Sequence, residues 1–247
     1  MKITVQTKAG DRTFDCDANE KLLYAGLRQG ILLPYECGTG TCGTCKARCV
    51  SGPVEPGWRG APGRSYLKED RGEFLLCQET AAGDCTVYVP GKAPAEIASL
   101  PRPAYRWGTL GAYTQLTSDV VSFTLAIEPG MDFAPGQFAV CSVPGVEGGR
   151  AYSMVNDASS ADTLEFVVKA KNGGHFSAWI FAANRDRTRV GVFGPLGRAV
   201  FRPEEDKNIL CIAGGSGIAG MISILSRAHA QGYFAGRRGH VFFGVRT

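Results

Sequence analysis

Histidine is scarce in this chain, with three in 247 residues, and none lies near the densest run of cysteines. That counts against a zinc site built from mixed Cys and His hooks. No stretch of 18 apolar residues occurs, so no helix is expected to cross a bilayer. The start, Met1-Lys2-Ile3-Thr4-Val5, lacks the apolar core of a secretory leader. Neither sign of charge dominates: the net charge is +4, with acids and bases interspersed. No basic patch interleaved with stacking aromatics occurs, so nucleic acid is not an expected partner. Together these absences lead to the expectation of a cytoplasmic protein, off the membrane, in a compartment that keeps cysteines reduced.

What the chain does have is nine cysteines and 33 glycines. Cys37, Cys42 and Cys45 stand at Cys-x4-Cys-x2-Cys spacing, and Cys77 follows after residues 46–76. This is the plant-type spacing for a 2Fe–2S cluster held by four thiolates. The intervening loop must fold tightly over inorganic sulfur. Gly38, Gly40 and Gly43 permit the positive φ angles and close backbone approach that this requires, and the loop's backbone N–H groups can point at the anionic sulfurs. Zinc would more often pair two Cys-x2-Cys hooks, and disulfides would suit a secreted chain. Cys16, Cys49, Cys85, Cys141 and Cys211 are read as free thiols, chiefly small core residues.

The fold class expected is multidomain. Residues 1–92 read as hairpin, helix, cluster loop, strand, short helix and strand. The strands are residues 2–8, 12–16, 46–50, 74–78 and 85–89. The main helix spans 21–29, with Asn19 as its cap and Gly30 as its stop. Ser65 opens a short helix to Asp70. Prolines 90, 94, 101 and 103 mark a linker at 93–103. Residues 104–205 then turn all-β, with strands punctuated by Gly/Pro turns, as in a small Greek-key barrel. From 206 the pattern shifts again. Ile209-Leu210-Cys211-Ile212-Ala213 is a continuous apolar run, as in a buried parallel strand. A glycine turn, a helix over 218–231 and a strand at 241–245 follow, the beginning of an α/β nucleotide-binding lobe. Two strands and one helix cannot cover their own faces, so the lobe is expected to be cut short or only partly represented.

Three more constellations carry chemistry. On a barrel strand, Arg150 and Tyr152 share a face. The guanidinium suits a pyrophosphate, and the tyrosine ring can lie against a flat heterocycle. Val168 and Lys169 lead to Gly173-Gly174-His175-Phe176-Ser177 at an expected helix start, where backbone N–H groups and missing side chains suit a phosphate. Gly214-Gly215-Ser216-Gly217-Ile218-Ala219-Gly220 follows the apolar strand. Read literally it satisfies Gly-x-Gly-x-x-Gly, but the acidic ribose partner about 20 residues on is missing.

Arg-x-Tyr-Ser after Pro135-Gly136-Gln137-Phe138, with Gly194-Pro195-Leu196-Gly197 farther on, resembles the ferredoxin–NADP reductase-like flavoproteins. Residues 1–92 resemble the β-grasp fold of plant-type ferredoxins. The glycine turn is similar to that family's Gly-Gly-x-Gly-x-x-Pro, with Gly220 in place of the proline. The resemblance implies FAD rather than FMN, held by Arg150, Tyr152, Ser153, Val168, Lys169, Gly174, His175, Phe176 and Ser177. Tyr152 and Ser153 would stand at the reacting ring, Ser153 near flavin N5. NADH, with NADPH not excluded, would meet Gly215, Ser216, Gly217 and Ile218. The family's Cys-Gly-Pro segment and C-terminal flavin-stacking aromatic are missing here.

Ferredoxin, flavin barrel and nicotinamide lobe, in that order, resemble the reductase components of bacterial aromatic-ring dioxygenases and multicomponent monooxygenases. The resemblance implies an NADH-dependent iron–sulfur flavoprotein, monomeric, passing single electrons to an oxygenase component or to a separate Rieske or ferredoxin carrier. Sugar-deoxygenation and quinone reductases share the modules. A non-enzymatic electron carrier is the alternative from another class.

Overall fold

The computed structural model describes residues 1–90, 100–157, 161–182 and 187–245. Its backbone contacts divide it into two units, Met1–Ala104 and Tyr105–Thr247. Most of the expected linker at 93–103 lies outside the described residues.

In the first unit the strands are β1 (Lys2–Gln6), β2 (Arg12–Asp15), β3 (Lys46–Ser51), β4 (Val54–Glu55), β5 (Glu73–Leu75), β6 (Thr80–Ala81) and β7 (Cys85–Tyr88). Five form one sheet in the order β2-β1-β7-β3-β5, while β4 pairs with β6. β1 runs antiparallel to β2 and parallel to β7, so the first and last strands of this unit lie side by side within the sheet. Apolar alternation puts Ile3 and Val5 on the inner face, both fully buried. Helix α1 (Leu22–Arg28) lays Leu22, Leu23 and Ala25 into that core. Each buried leucine contributes roughly 1.5–3 kcal/mol. This is the β-grasp arrangement expected.

The ends of α1 differ from the expectation. Asn19 sits in a turn at φ 64° and caps nothing. The helix begins instead where Leu22 and Leu23 donate backbone N–H bonds to Glu79 O and Leu76 O, at 3.1 and 2.8 Å. Tertiary pairing with the segment around Cys77 replaces a local cap. The short helix expected from Ser65 is two 3₁₀ turns, Pro62–Tyr66 and Glu69–Arg71, the second closed by Gly72 in the left-handed region.

The second unit carries a six-stranded antiparallel sheet in the order β11-β10-β13-β8-β9-β12. These are β8 (Ala104–Gln115), β9 (Val120–Met131), β10 (Phe138–Ser142), β11 (Arg150–Ser153), β12 (Ala161–Lys169) and β13 (Arg189–Leu196). Val121, Phe123, Leu125, Phe166, Val190 and Val192 fill its interior. The Phe123 and Phe166 rings lie 5.4 Å apart. Helix α2 (His175–Phe181) seals one side through Phe176 and Ile180.

β14 (Ile209–Gly214) and β15 (Gly239–Gly244) pair in parallel, linked by α3 (Ala219–Ala230). The strand at 209–213 forms as expected, but its burial does not: Leu210 is 62% exposed and Ile212 66%, and Phe242 on β15 is 62% exposed. Parallel strands need cover on both faces, and one helix supplies only part of it. Among the described residues no helix is long and apolar enough to cross a membrane.

Candidate functional site

The cluster loop is a cradle without side chains where it is tightest. Gly40, at φ 81°, has no room for a Cβ, which would stand 2.8 Å from the Gln78 amide nitrogen. At Gly43, φ 75°, a Cβ would meet the Tyr66 ring at 2.9 Å. Thr39 and Thr41 donate backbone N–H bonds to Cys37 Sγ at 3.4 and 3.3 Å. Burial pushes the Cys37 thiol up, but those N–H groups, with that of Cys42 and the Cys42 thiol, outweigh it and hold it below the ordinary thiol range.

Cys45 and Cys77 are buried, their sulfurs 3.3 Å apart. The bond between the two thiols lets Cys77 give up its proton more readily and holds the proton on Cys45, which burial reinforces. The Gln78 side chain adds a 3.5 Å bond to Cys77 Sγ. Among the described residues no three His, Cys, Asp or Glu side chains gather at a single metal-ion position. The thiols stand instead as two pairs, Cys37 with Cys42 and Cys45 with Cys77, as two irons taking two thiolates each require. All four are free thiols, and the donor set fits a 2Fe–2S cluster. Cys49 lies on β3 with its sulfur bonded to Gly52 O, away from these pairs.

On the barrel, Arg150, Tyr152 and Ser153 line β11 in register with Cys141, Ala139 and Phe138 of β10. Tyr152 meets Phe176 of α2 with ring centroids 5.1 Å apart, so the Arg-x-Tyr-Ser strand and the Gly-Gly-His-Phe-Ser turn come together. Burial pushes the Tyr152 hydroxyl pKa up, so the ring stays neutral at any working pH. Other members of that set are engaged elsewhere. Phe176 and Val168 have side chains in the core, leaving only their backbone for a ligand. Ser177 Oγ accepts a bond from Lys171 N–H at 3.1 Å and donates to Gly174 O at 2.9 Å. Lys169 reaches Asp119 at 3.0 Å, and His175 is exposed.

The glycine turn after β14 reaches the same place from the other direction. Gly215 to Ile218 form a 3₁₀ turn that leads into α3. Gly220, in the first turn of α3, lies so close to β11 that a Cβ there would stand 3.2 Å from Ser153 Oγ. Ser153, Gly217 and Gly220 line one cavity of about 600 Å3. Ser223 Oγ donates to Asn156 O at 2.9 Å, and Arg227 pairs with Asp157, fastening α3 to the barrel beside it. Sequence reasoning missed Asn156 and Asp157 as anchors, although they follow Arg-x-Tyr-Ser by only a few residues. It also missed the charged lining of the cavity, Arg198 together with Arg202 and Lys207, both of which pair with Glu205.

Two family models match the chain: 2Fe-2S iron-sulfur cluster binding domain over residues 3–82, and Oxidoreductase FAD-binding domain over 108–201. The chain is 36% identical over 238 residues to the alkene monooxygenase system ferredoxin–NAD(+) reductase component of Xanthobacter autotrophicus, covering 96% of itself and 71% of that protein. It is 32% identical over 247 residues to a ferredoxin–NAD(P)(+) reductase of Metapseudomonas resinovorans, covering 94% of itself and 70% of the relative. Among solved structures, the ferredoxin reductase in carbazole 1,9a-dioxygenase superposes with a TM-score of 0.84 at 30% identity, across 100% of this chain and 72% of that one.

Proposed function

The chain belongs to the ferredoxin–NAD(P)(+) reductase components of oxygenase systems, and on that premise we propose that it draws electron pairs from NADH and hands single electrons to an oxygenase component or to a separate Rieske or ferredoxin carrier. An isoalloxazine exchanges electrons in pairs or singly and a 2Fe–2S centre takes one at a time, so bound FAD and cluster together supply the conversion. The chain's own residues bind and orient. Cys37, Cys42, Cys45 and Cys77 hold the cluster, and the Thr39 and Thr41 N–H groups offset thiolate charge. Arg150 supplies positive charge for the FAD diphosphate, with the Gly174–Ser177 turn as its second contact. Tyr152 backs the isoalloxazine, and Ser153 offers its hydroxyl at the reacting edge. Gly215, Ser216, Gly217 and Ile218 receive the dinucleotide phosphates.

The single observation carrying this reading is the approach of Gly220 to Ser153, which gives the flavin strand and the nicotinamide turn one shared cavity. As working modules we take 1–92 for the cluster, 93–103 as linker, 104–205 for the flavin and 206–247 for the nicotinamide. The protein acts as a cytoplasmic monomer, which light scattering tests.

Anaerobic mixing with NADH is the test of function. Bleaching of the flavin followed by bleaching of the cluster supports the reductase. Bleaching by dithionite but not by NADH would contradict it and select a carrier that only relays electrons between proteins.

A further inference from the structure

Arg64 belongs to none of the motifs, yet its side chain is only 14% exposed and each of its three nitrogens donates a hydrogen bond. Nε donates to Trp58 O at 3.1 Å, Nη1 to Glu69 Oε1 at 2.9 Å, and Nη2 to Glu79 Oε1. Glu79 is 2% exposed, and its Oε2 has no hydrogen-bond partner among the described residues. A carboxylate so deeply buried is costly unless paired, and breaking a buried pair strands its remaining charge. The acid of this pair stands two residues beyond Cys77.

What the pair fastens is a cover over the cluster loop. Arg64 lies in the middle of the 3₁₀ turn Pro62–Tyr66. Gly63 N–H bonds Gly40 O at 2.7 Å, and a Cβ on Gly63 would stand 3.0 Å from Gly43 N. Tyr66 rests on Gly43. The far end of the clamp is equally fixed. Glu79 N–H bonds Leu75 O at 3.1 Å, and Glu79 O accepts from Leu22 N–H at 3.1 Å. Gln78, next to Glu79, touches both Gly40 and Cys77 Sγ.

We infer that Arg64 is a positioning residue for the cluster: its pairing with Glu79 holds the Pro62–Tyr66 turn down on loop residues 40–43 and so sets how closely the backbone wraps the Cys37, Cys42 and Cys45 sulfurs. The inference rests on the reading that these thiols and Cys77 bind a 2Fe–2S cluster. Groups surrounding first ligands tune such centres through hydrogen bonding and solvent access. A guanidinium spreads its donors over three nitrogens in a rigid planar fork, whereas a lysine ammonium carries its three on one rotatable nitrogen.

The test uses the 247-residue chain with two variants. R64K keeps the charge and loses the fork; R64M/E79Q removes both charges, so no bare carboxylate is left buried. Iron release to a chelator and the EPR line shape of the dithionite-reduced cluster are read beside thermal unfolding and flavin content. In both variants iron should leave about 10–100-fold faster, with an altered line shape. The R64K melting temperature and the flavin content should stay near the parent's. Parental release rates and line shape in both variants would overturn the inference. So would full rescue by R64K, which would reduce Arg64 to a charge that stabilises the fold. An unsubstituted chain that assembles no 2Fe–2S centre would remove the premise itself, and that failure is visible before any variant is made.

Discussion

Two parallel strand pairs among the described residues make an instructive contrast. β1 and β7 lie at the centre of a five-stranded sheet, with Ile3, Val5 and Val87 fully buried beneath α1. β14 and β15 pair in equally regular register, yet Leu210, Ile212, Phe242 and Phe243 face out. Both pairs keep an unbroken register, and apolar cover differs. The covered sheet anchors, through β3 and β5, the loop and the turn that carry the four thiols. The open sheet presents a glycine turn whose geometry depends on α3 being pinned to the barrel through Ser223 and Arg227.

The largest effect should come from the covered side. Cys42→Ser is expected to abolish cluster assembly, read as loss of iron, while flavin stays bound at parental stoichiometry. Loss of flavin as well would count against separate modules. Next comes a pair of truncations that measures the contrast itself. Leu76→Ala, at a fully buried position beside Cys77, should cost about 2–5 kcal/mol in denaturant unfolding of the first unit. Ile212→Ala, on the open face, should stay within about 0.5 kcal/mol. Equal costs would mean that the second parallel pair is covered in solution.

Gly220→Val should crowd Ser153 and lower kcat/KM for NADH by about tenfold or more, since small displacements of reacting groups are expensive. Dithionite reduction and iron content should not change. The smallest effect is chemical. In the iron-free protein at mildly alkaline pH, the depressed Cys37 thiol is more fully ionised than an ordinary cysteine. Burial raises the Cys16 and Cys85 thiols to about 11 and Cys141 to about 12, so these stay protonated and unreactive. Iodoacetamide should therefore label Cys37 well before those three; the reverse order in peptide mapping would contradict the described loop.

How legible all this was depended on how local the signal is. Cys37, Cys42 and Cys45 were readable because a tight loop forces its ligands close together in sequence, and the β-strands followed from alternation. Asn19 misled because a capping residue and a turn residue look alike, and the start of α1 is decided by Leu76 and Glu79, far along the chain. The run at 209–213 correctly announced a parallel strand, but apolarity records the need for cover and not its presence. Val168 and Phe176 show a further limit: a motif cannot tell whether a residue serves through its backbone or its side chain. Arg64 and Glu79 were invisible for a related reason. They lie 15 residues apart among other charges, and only the fold shows that they meet away from water.

The account is tested most directly by anaerobic addition of NADH followed by rapid freezing and EPR, with flavin absorbance recorded in parallel. It predicts that absorbance falls first and that the rhombic signal of a reduced 2Fe–2S centre then grows to one per flavin. A flavin that bleaches while the iron stays EPR-silent, yet responds to dithionite, would contradict it.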